Sequence, residues 1–399
     1  MSQPTTIELD AVILGGGIAG LWTLSELTRR GMAGVLIEAR ALGQGQTLWS
    51  QGIIHGGLKY SLSGLLTGSA RAIREMPEVW RACLAGEREP DLSGAPVRAP
   101  HCHLWQTTDL RSRAGMIGAR IGLRVAPVPL APEERPTVLR DCPGVVARLD
   151  EQVIDPGAVL SALARPLSDR IILAPPDAVR FERDPLVVAV PGARFAPRRV
   201  ILCAGRASAD LRRAAGLAGD AMQVRPLRMV MLRAPAARLP ELNAHCVDGN
   251  RTRVTITSVI DAGARRIWQI GGEIAERGAA IDPPALLSAA RAELLAVLPS
   301  VDLSPCEWSW YQADRAERAT PGAKRPEDIG VIEEGPFLTA WPTKLALAPR
   351  LAERLADLCG SPQAGPWTAL PAGLHHPAVA LPPWDEPREW TPDSAVAPG

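Results

Sequence analysis

The sequence predicts an α/β fold: a parallel sheet flanked by helices, joined to a second, β-rich antiparallel domain. A short apolar run, Val12–Leu14, is typical of a buried parallel strand, and a glycine-rich turn and an amphipathic segment, Ile18–Arg30, follow it. A later stretch, 222–274, alternates apolar and polar residues as half-buried strands do. With 399 residues and 46% apolar side chains, the chain is long enough for two domains.

The turn after the first strand has the spacing G-x-G-x-x-G, formed by Gly15, Gly17 and Gly20. In a strand–turn–helix context the first glycine allows the tight turn, the second leaves bare backbone for a pyrophosphate, and the third lets helix and strand pack closely. A second strand, 34–40, places Glu38 about 20 residues further on, where an acid binds a ribose hydroxyl. The pattern predicts a Rossmann-like dinucleotide site, with an ordinary glycine turn as the alternative.

Composition excludes several other classes of protein. The formal net charge of +1 argues against a nucleic-acid partner, and no apolar run is long enough to cross a bilayer. Seven widely spaced cysteines include no C-x-x-C pair, so we expect neither a disulfide framework nor a zinc site. We therefore expect a cytoplasmic protein that acts on a small molecule.

The loop from Leu42 to Tyr60 makes the interpretation more specific. It is rich in glycine and small polar residues and contains Ser50-Gln-Gly-Ile-Ile-His55-Gly-Gly. Together with the glycine turn, this loop resembles the FAD-dependent D-amino-acid-oxidase-like superfamily. Within it, the Ile-His-small-Gly element is similar to that of L-2-hydroxyglutarate dehydrogenases and flavin-dependent glycerol-3-phosphate dehydrogenases. The resemblance implies bound FAD in a discontinuous cofactor domain.

Between residues 65 and 215 the pattern predicts strands alternating with helices. His101 and His103 share one face of a strand, but we expect no metal there because no further ligands are in view. The predicted elements are a helix at 65–84 bent near Pro77, a strand at 101–106, a helix at 109–122, a helix opened by Asp155-Pro156, a strand at 199–205 ending in Ala-Gly, and a helix at 209–215.

The following region is predicted as an antiparallel sheet over the flavin. Its strands are expected at 222–233, 251–260, 265–274 and 308–318, with a helix opened by Asp282 and two prolines. The last cofactor segment, 335–349, resembles the family's final strand–loop–helix, in which a Leu-Ala-Pro run enters the last helix. The predicted cofactor domain comprises 1–86, 141–222 and 319–360, the substrate domain comprises 87–140 and 223–318, and a Pro- and Trp-rich tail comprises 361–399.

The resemblance and the turn together give a set of expected FAD contacts. They lie on the first turn and helix, the end of the second strand, the following loop, the late Ala-Gly turn and the C-terminal loop. These residues are Gly15, Gly17, Ile18, Ala19, Gly20, Glu38, Ala39, Arg40, Gln46, Thr47, Ser50, Gln51, Gly52, Ile54, Val179, Ala204, Gly205, Trp341, Pro342, Thr343, Lys344 and Leu345.

A flavin that takes a hydride at N5 needs stabilisation of the reduced anion and, for an alcohol donor, a base. Backbone N–H groups near Thr343–Leu345 are the expected donors, and Lys344 is a candidate for an added positive charge or for a solvent-facing side chain. His55 is the candidate base because its pKa suits proton transfer near neutrality. The alternative is that His55 only binds the cofactor or shapes the loop.

An anionic substrate needs a cation, and arginine supplies a bidentate fork. Arg315 is the candidate because Asp314-Arg315-Ala316 resembles the family's Gly-x-Arg-Ala element, although Asp314 offers a neutralising charge. Other candidate cations are Arg228, Arg253 and Arg318. Tyr311 is a candidate pocket residue or a core residue.

These features predict an FAD-dependent oxidoreductase that oxidises a small anionic alcohol, such as a 2-hydroxy acid or a polyol phosphate. One alternative is oxidation of a C–N bond in an amino acid or secondary amine. Another is a flavoprotein subunit or maturation factor that acts on a macromolecular partner. The electron acceptor stays open between oxygen, a quinone and a protein, and the tail is a candidate for a peripheral membrane or partner contact.

Overall fold

A computed structural model of the chain describes residues 6–56, 68–107, 127–249 and 251–396. Asp155 and Asp282 act as N-caps, each accepting a backbone N–H three residues on, at 2.9 Å, and prolines follow each cap as predicted. The α-helices are α1 Ile18–Arg29, α2 Gly68–Leu84, α3 Pro156–Ala164, α4 Ser208–Ala214, α5 Glu273–Gly278, α6 Pro283–Val297 and α7 Ala348–Cys359.

The strands form two large sheets and two small two-stranded ones. In chain order they are β1 Thr6–Leu14, β2 Gly34–Glu38, β3 Val97–Ala99, β4 Cys102–Gln106, β5 Val128–Pro129, β6 Val146–Leu149, β7 Val153–Ile154, β8 Ile171–Leu173, β9 Arg180–Arg183, β10 Leu186–Val190, β11 Ala193–Leu202, β12 Met222–Arg225, β13 Arg228–Pro235, β14 Ala244–Asp248, β15 Arg251–Ile260, β16 Arg265–Gly271, β17 Glu307–Gln312, β18 Arg315–Arg318, β19 Gly330–Glu334, β20 Phe337–Trp341 and β21 Thr391–Pro392.

The first sheet has the order β19-β20-β11-β1-β2-β8. The strands β20, β11, β1, β2 and β8 run parallel, so their carboxyl ends meet at one edge. Side chains of β1 enter both faces: Ile13 packs with the helices, and Val12 packs into the opposite core. This confirms the predicted α/β fold with a Rossmann-like parallel sheet.

Helices α1, α2, α3 and α7 cover one face of this sheet in one continuous core. Leu24, Trp80, Leu160 and Leu355, one from each helix, are all fully buried there. Because α1 and α7 share this core, the start and the end of the cofactor region lie on the same side of the sheet.

The second sheet has the order β21-β17-β13-β16-β15-β14-β4-β6-β5 and is antiparallel except where β14 pairs with β4. Helix α6 packs against it through buried leucines such as Leu286 and Leu294. The sheet includes β6, so the chain returns to the first sheet after Leu149, later than the predicted return at 141.

Three predicted strands are shorter than expected or divided. The strand predicted at 222–233 is divided into β12 and β13, which pair in different sheets. The strand predicted at 265–274 ends at Gly271, because Gly272 has φ +88° and α5 begins directly after it. The strand predicted at 308–318 is divided into β17 and β18, which pair in different sheets. The helix predicted at 109–122 lies outside the described residues.

The C-terminal tail runs along the surface of both sheets. Asp10, at the first sheet, accepts backbone N–H groups from Gln363 at 2.8 Å and Ala364 at 3.1 Å. Val379 forms a bridge with Leu42, and β21 then pairs with β17 in the second sheet. The tail therefore connects the two domains on the outside.

The seven cysteines are all free, and six of them are buried. Within the described ranges, none of the helices has both the length and the apolar character needed to cross a membrane.

Candidate active site

The glycine turn after β1 is a close-packed piece of backbone. Gly15 has φ +113°, and a Cβ there would lie 2.7 Å from the Cα of Ala204 at the end of β11. A Cβ on Gly20 would lie 2.0 Å from the carbonyl oxygen of Gly15. Both positions need glycine because backbone occupies the space that a side chain would take.

The start of α1 is arranged for an anionic group. Gly17 occupies the N-cap position and provides no side-chain cap, so the helix N-terminus faces the turn with bare backbone. Glu38 ends β2 with its carboxylate at the same turn, accepting N–H groups from Gly16 at 2.5 Å, Ala39 at 2.8 Å and Arg40 at 3.0 Å. A pyrophosphate on the helix and a ribose beside Glu38 fit this arrangement.

The loop after β2 folds back over the turn. Gly43 donates its N–H to the carbonyl of Gly16 at 2.9 Å, and Thr47 accepts the N–H of Ile18 through its hydroxyl at 3.2 Å. Ser50 in turn donates its hydroxyl to the carbonyl of Thr47 at 2.8 Å. The loop therefore closes one side of the space in front of α1.

The same loop reaches both the small β12–β18 sheet and the second large sheet. Gln46 accepts the backbone N–H of Ala316 at 3.1 Å, and Gln51 donates to the carbonyls of Thr255 and Gln269, both at 3.0 Å. Two amide side chains of one loop thus fix the relative position of the two domains around the site.

The remaining expected contacts lie in or behind the sheet. Gly52 has φ +72° and accepts the N–H of Ile154 at 2.9 Å. Ile54 is fully buried, and Val179 is nearly so. Gly205, with φ +54°, turns the chain directly after Ala204.

The C-terminal loop from Trp341 to Leu345 lies at the same edge of the sheet, because β20 is parallel to β11 and β11 to β1. Thr343 has φ +62°, an uncommon conformation for a β-branched residue, and its hydroxyl donates to the carbonyl of Asp328 at 2.8 Å. Such a constrained residue at a sheet edge is typical of a functional site.

Beside the loop, three titratable side chains come together from distant parts of the chain; we call His55, Glu151 and His245 the His–Glu–His cluster. Glu151 Oε2 lies 3.4 Å from Nδ1 of His55 and 3.4 Å from Nε2 of His245. Glu151 Oε1 accepts the N–H of Gly56 at 2.7 Å. Glu151 and His245 are buried, whereas the side chain of His55 is 43% exposed.

The surroundings shift the pKa of two members of this cluster. Burial lowers the pKa of His55 below its usual value, opposed by the hydrogen bond and charge of Glu151, and the nearby charges of His245 and Lys344 lower it further. Burial raises the pKa of Glu151, but the hydrogen bonds from His245 and His55 outweigh it and hold the pKa well below the ordinary value. These shifts favour the ionised form of Glu151 and the neutral form of His55.

Arg315 lies on β18, next to the turn that follows β11. Burial lowers the pKa of Arg315 to about 10, helped by the nearby charge of Arg325, so the guanidinium still carries its charge at neutral pH. Its ion pair with Glu276 is long, at 3.4 Å. Asp314, which the sequence offered as a neutralising partner, instead pairs with Arg206 at 2.9 Å.

Two of the other three candidate arginines have structural partners, and the third lies on the surface. Arg253 pairs with Glu293 of α6 at 2.7 Å, and Arg228 lies over the ring of Trp310. Arg318 is exposed on the surface. The geometry favours Arg315 over these three arginines as an anion ligand.

Tyr311 is buried, and its hydroxyl accepts from Gln269 at 2.8 Å and donates to the carbonyl of Trp49 at 3.0 Å. Burial raises the pKa of Tyr311 well above its usual value. The tyrosine therefore holds the loop to the second sheet, and its hydroxyl is engaged in that contact.

Glu151 and His245 were not among the residues singled out from the sequence. Glu151 lies between the short strands β6 and β7, and His245 lies inside β14. Neither belongs to a recognisable spacing motif; the His55 loop was the single signal pointing to this place.

Comparison with known proteins agrees with this geometry. The family model for FAD-dependent oxidoreductases of the DAO type matches residues 10–338. The chain belongs to this family. The resemblance inferred from the glycine turn and the His55 loop is confirmed. The oxidoreductase uses FAD, which fits the glycine turn, the start of α1 and Glu38.

Individual relatives extend this result. The probable FAD-dependent oxidoreductase PA4991 of Pseudomonas aeruginosa is 39% identical over 390 residues, covering 96% of this chain and 99% of the relative. Its crystal structure matches with a TM-score of 0.81 and 35% identity, covering 96% of this chain and 99% of that one.

More distant proteins divide between two chemistries. Glycerol-3-phosphate dehydrogenase 1 of Mycobacterium bovis is 32% identical over 174 residues, 39% of this chain and 33% of that protein. Glycine oxidase from Geobacillus kaustophilus matches in structure with a TM-score of 0.63 and 19% identity, covering 92% of this chain and 98% of that one, which shows a shared fold.

Proposed function

We propose that the oxidoreductase oxidises a small anionic alcohol, a 2-hydroxy acid or a polyol phosphate. The observation that carries the proposal is the ionised carboxylate of Glu151 beside Nδ1 of His55, 3.4 Å away. A neutral imidazole has one N–H and one lone pair, and a carboxylate at Nδ1 favours the proton there. The lone pair then lies on Nε2, where it accepts a proton.

An alcohol needs such a base because its hydroxyl proton must leave as the carbon loses hydride. When bound, the flavin supplies the hydride acceptor, which no side chain of the protein provides. His55 takes the hydroxyl proton at Nε2, and Glu151 stabilises the imidazolium that forms. A neutral amine gives up hydride without a dedicated base, so the cluster favours alcohol over amine oxidation.

The anionic part of the substrate is assigned to Arg315. Its guanidinium is partly exposed, with 26% of the side chain accessible, and its pairing with Glu276 is long. Its strand contacts β20 and the turn that follows β11, and Ala316 of that strand donates its N–H to Gln46 of the loop. A carboxylate or phosphate bound bidentately there positions the alcohol carbon toward the flavin.

The free cysteines support a reducing, cytoplasmic setting for the reaction.

The test is anaerobic mixing with 2-hydroxy acids, glycerol 3-phosphate, glycine and proline, followed by loss of flavin absorbance at about 450 nm. One of the alcohols should reduce the flavin, and His55→Ala should slow that reduction by about 10²- to 10⁴-fold. The control is His101→Ala, at the residue directly before β4, and this variant should match the wild type.

Two results would count against the proposal. Reduction by an amine with a loss of less than about tenfold in His55→Ala would favour C–N oxidation, since an amine needs no base of this strength. Failure of every alcohol and amine, together with a stoichiometric co-purifying protein, would favour a role on a macromolecular partner.

A further inference from the structure

The His–Glu–His cluster has the donor set of a metal site. Two imidazole nitrogens and one carboxylate oxygen, from His55, His245 and Glu151, lie within 4.8 Å of one another. Imidazole and carboxylate together suit zinc and other first-row transition ions. The three ligands come from three separate segments, which is why the sequence offered no metal spacing and none was expected.

The distances leave room for a metal ion among the three side chains. Charge-assisted N–H···O contacts are about 2.7–2.9 Å long, whereas both nitrogen–oxygen distances here are 3.4 Å. A tetrahedral zinc ion with bonds of about 2.0–2.1 Å separates neighbouring ligand atoms by roughly 3.3–3.4 Å. Nε2 of His245 is also buried, and among the described residues it makes no polar contact shorter than the one with Glu151 at 3.4 Å.

Supporting contacts orient the ligands as they do around bound metals. Thr255 Oγ1 lies 3.0 Å from Nδ1 of His245, which directs Nε2 toward Glu151. The N–H of Gly56 holds Glu151 Oε1 at 2.7 Å, leaving Oε2 for the two imidazoles. The partly exposed His55 gives an ion a route from solvent.

We propose that the His–Glu–His cluster binds one divalent transition-metal ion, with Zn²⁺ as its best match, and that this ion switches off the base. The consequence for activity rests on the proposed function. A metal on Nδ1 of His55 uses that lone pair, so the single ring proton must lie on Nε2. Nε2 then donates and no longer accepts the proton of an alcohol.

The test is calorimetric titration of the FAD-loaded enzyme with Zn²⁺, and in parallel with Mg²⁺, which prefers oxygen ligands. We expect one Zn²⁺ per chain and no heat from Mg²⁺. His245→Gln should weaken Zn²⁺ binding by about 100-fold or more, since even losing an outer-shell partner costs about 10- to 100-fold. Melting temperature and FAD content establish that the variant is folded.

Two further variants keep the test decisive. Thr255→Val, which removes the hydroxyl beside Nδ1 of His245, should weaken Zn²⁺ binding by about tenfold. The control, His101→Asn combined with His103→Asn, removes two imidazoles whose rings lie 5.0 Å apart, and should leave the affinity unchanged. Zn²⁺ affinity that is unchanged in His245→Gln and Thr255→Val, or no binding at all, would overturn the proposal.

The activity readout separates this inference from the proposed function. Stoichiometric Zn²⁺ should abolish flavin reduction by the alcohol, and a chelator should restore it. Zn²⁺ that binds at the cluster without slowing reduction would support the site and contradict His55 as the base. An enzyme that binds no Zn²⁺ but needs His55 for reduction would retain the proposed function and lose the metal site.

Discussion

The two ends of the active site are built in different ways. At the cofactor end, Gly15 and Gly20 meet backbone of the first sheet and of their own turn, and Glu38 follows about 20 residues later. At the end that we assign to the substrate, His55 and Glu151 lie 96 positions apart in the chain and approach each other through the folded structure.

The difference has a physical origin. The cofactor end depends on backbone conformation and close approach, which only a few residue types permit, so its sequence is constrained locally. The other end depends on side chains carried by separate segments, a loop for His55, the turn between β6 and β7 for Glu151 and β14 for His245, and such segments accept many residue types. We therefore expect substitutions at the two ends to fail differently: cofactor binding is lost at one, and catalytic rate at the other.

The largest effect is expected for Gly15→Ala. The new Cβ would meet the backbone of Ala204 at 2.7 Å in a residue with φ +113°. We expect protein that purifies without FAD and is destabilised by about 3 kcal/mol or more, measured by flavin absorbance and thermal unfolding.

Gly335→Ala is the matched control for Gly15→Ala. Gly335 also has a positive φ, +59°, but a Cβ there meets nothing within 4 Å, and it lies in the β19–β20 hairpin. It should cost only about 1 kcal/mol and retain FAD. Equal loss of FAD in both variants would show that the close approach at Ala204 is irrelevant.

A smaller effect is expected for Glu151→Gln, which tests the substrate end. Loss of the carboxylate removes the charge that orients and stabilises His55, so flavin reduction should slow by roughly 10- to 100-fold while FAD stays bound. The adjacent Asp150→Asn is the control, because Asp150 pairs with Arg81 at 2.7 Å at the surface. Comparable rates in the two variants would remove Glu151 from the mechanism.

Arg315→Gln tests substrate capture separately from proton transfer. We expect KM for the anionic substrate to rise by about 10- to 100-fold with a smaller change in kcat, since a bidentate ion pair contributes about 1.5–3 kcal/mol. Exposed Arg318 on the same strand provides the control, Arg318→Gln. An unchanged KM in Arg315→Gln would reassign the anion site.

The smallest effect on catalysis is expected for the tail. Asp393 is buried and accepts hydrogen bonds from Arg291 at 2.9 Å and from the indole of Trp308 at 3.0 Å. Asp393→Asn should lower the free energy of unfolding by about 3 kcal/mol and leave the reduction rate near that of the wild type. Asp302→Asn, at an exposed ion pair, should cost less than about 1 kcal/mol.

Much of the fold follows from the sequence because its signals are local. The glycine turn, the caps at Asp155 and Asp282, and Pro349 in the first turn of α7 each act within a few residues. The point where the chain returns to the first sheet was predicted too early, because β6 is placed by its pairing with β4 rather than by its own pattern.

The candidate site is predictable only where backbone dictates residue type. The glycine-rich loop points to His55, whereas Glu151, between two short strands, and His245, inside a strand, become recognisable only through their distances in the folded chain. For Tyr311 the sequence left a pocket position and a core position open, and the structure adds that the residue is buried with its hydroxyl bonded to Trp49 and Gln269.

The central claim is that one flavin lies between the C-terminal loop, 342–345, and the His–Glu–His cluster. A crystal structure of the FAD-loaded enzyme with an unreactive substrate analogue tests it most directly. With the donor carbon about 3–3.5 Å from N5, Nε2 of His55 should lie within about 6 Å of N5. A flavin ring more than about 10 Å from His55 would contradict the account.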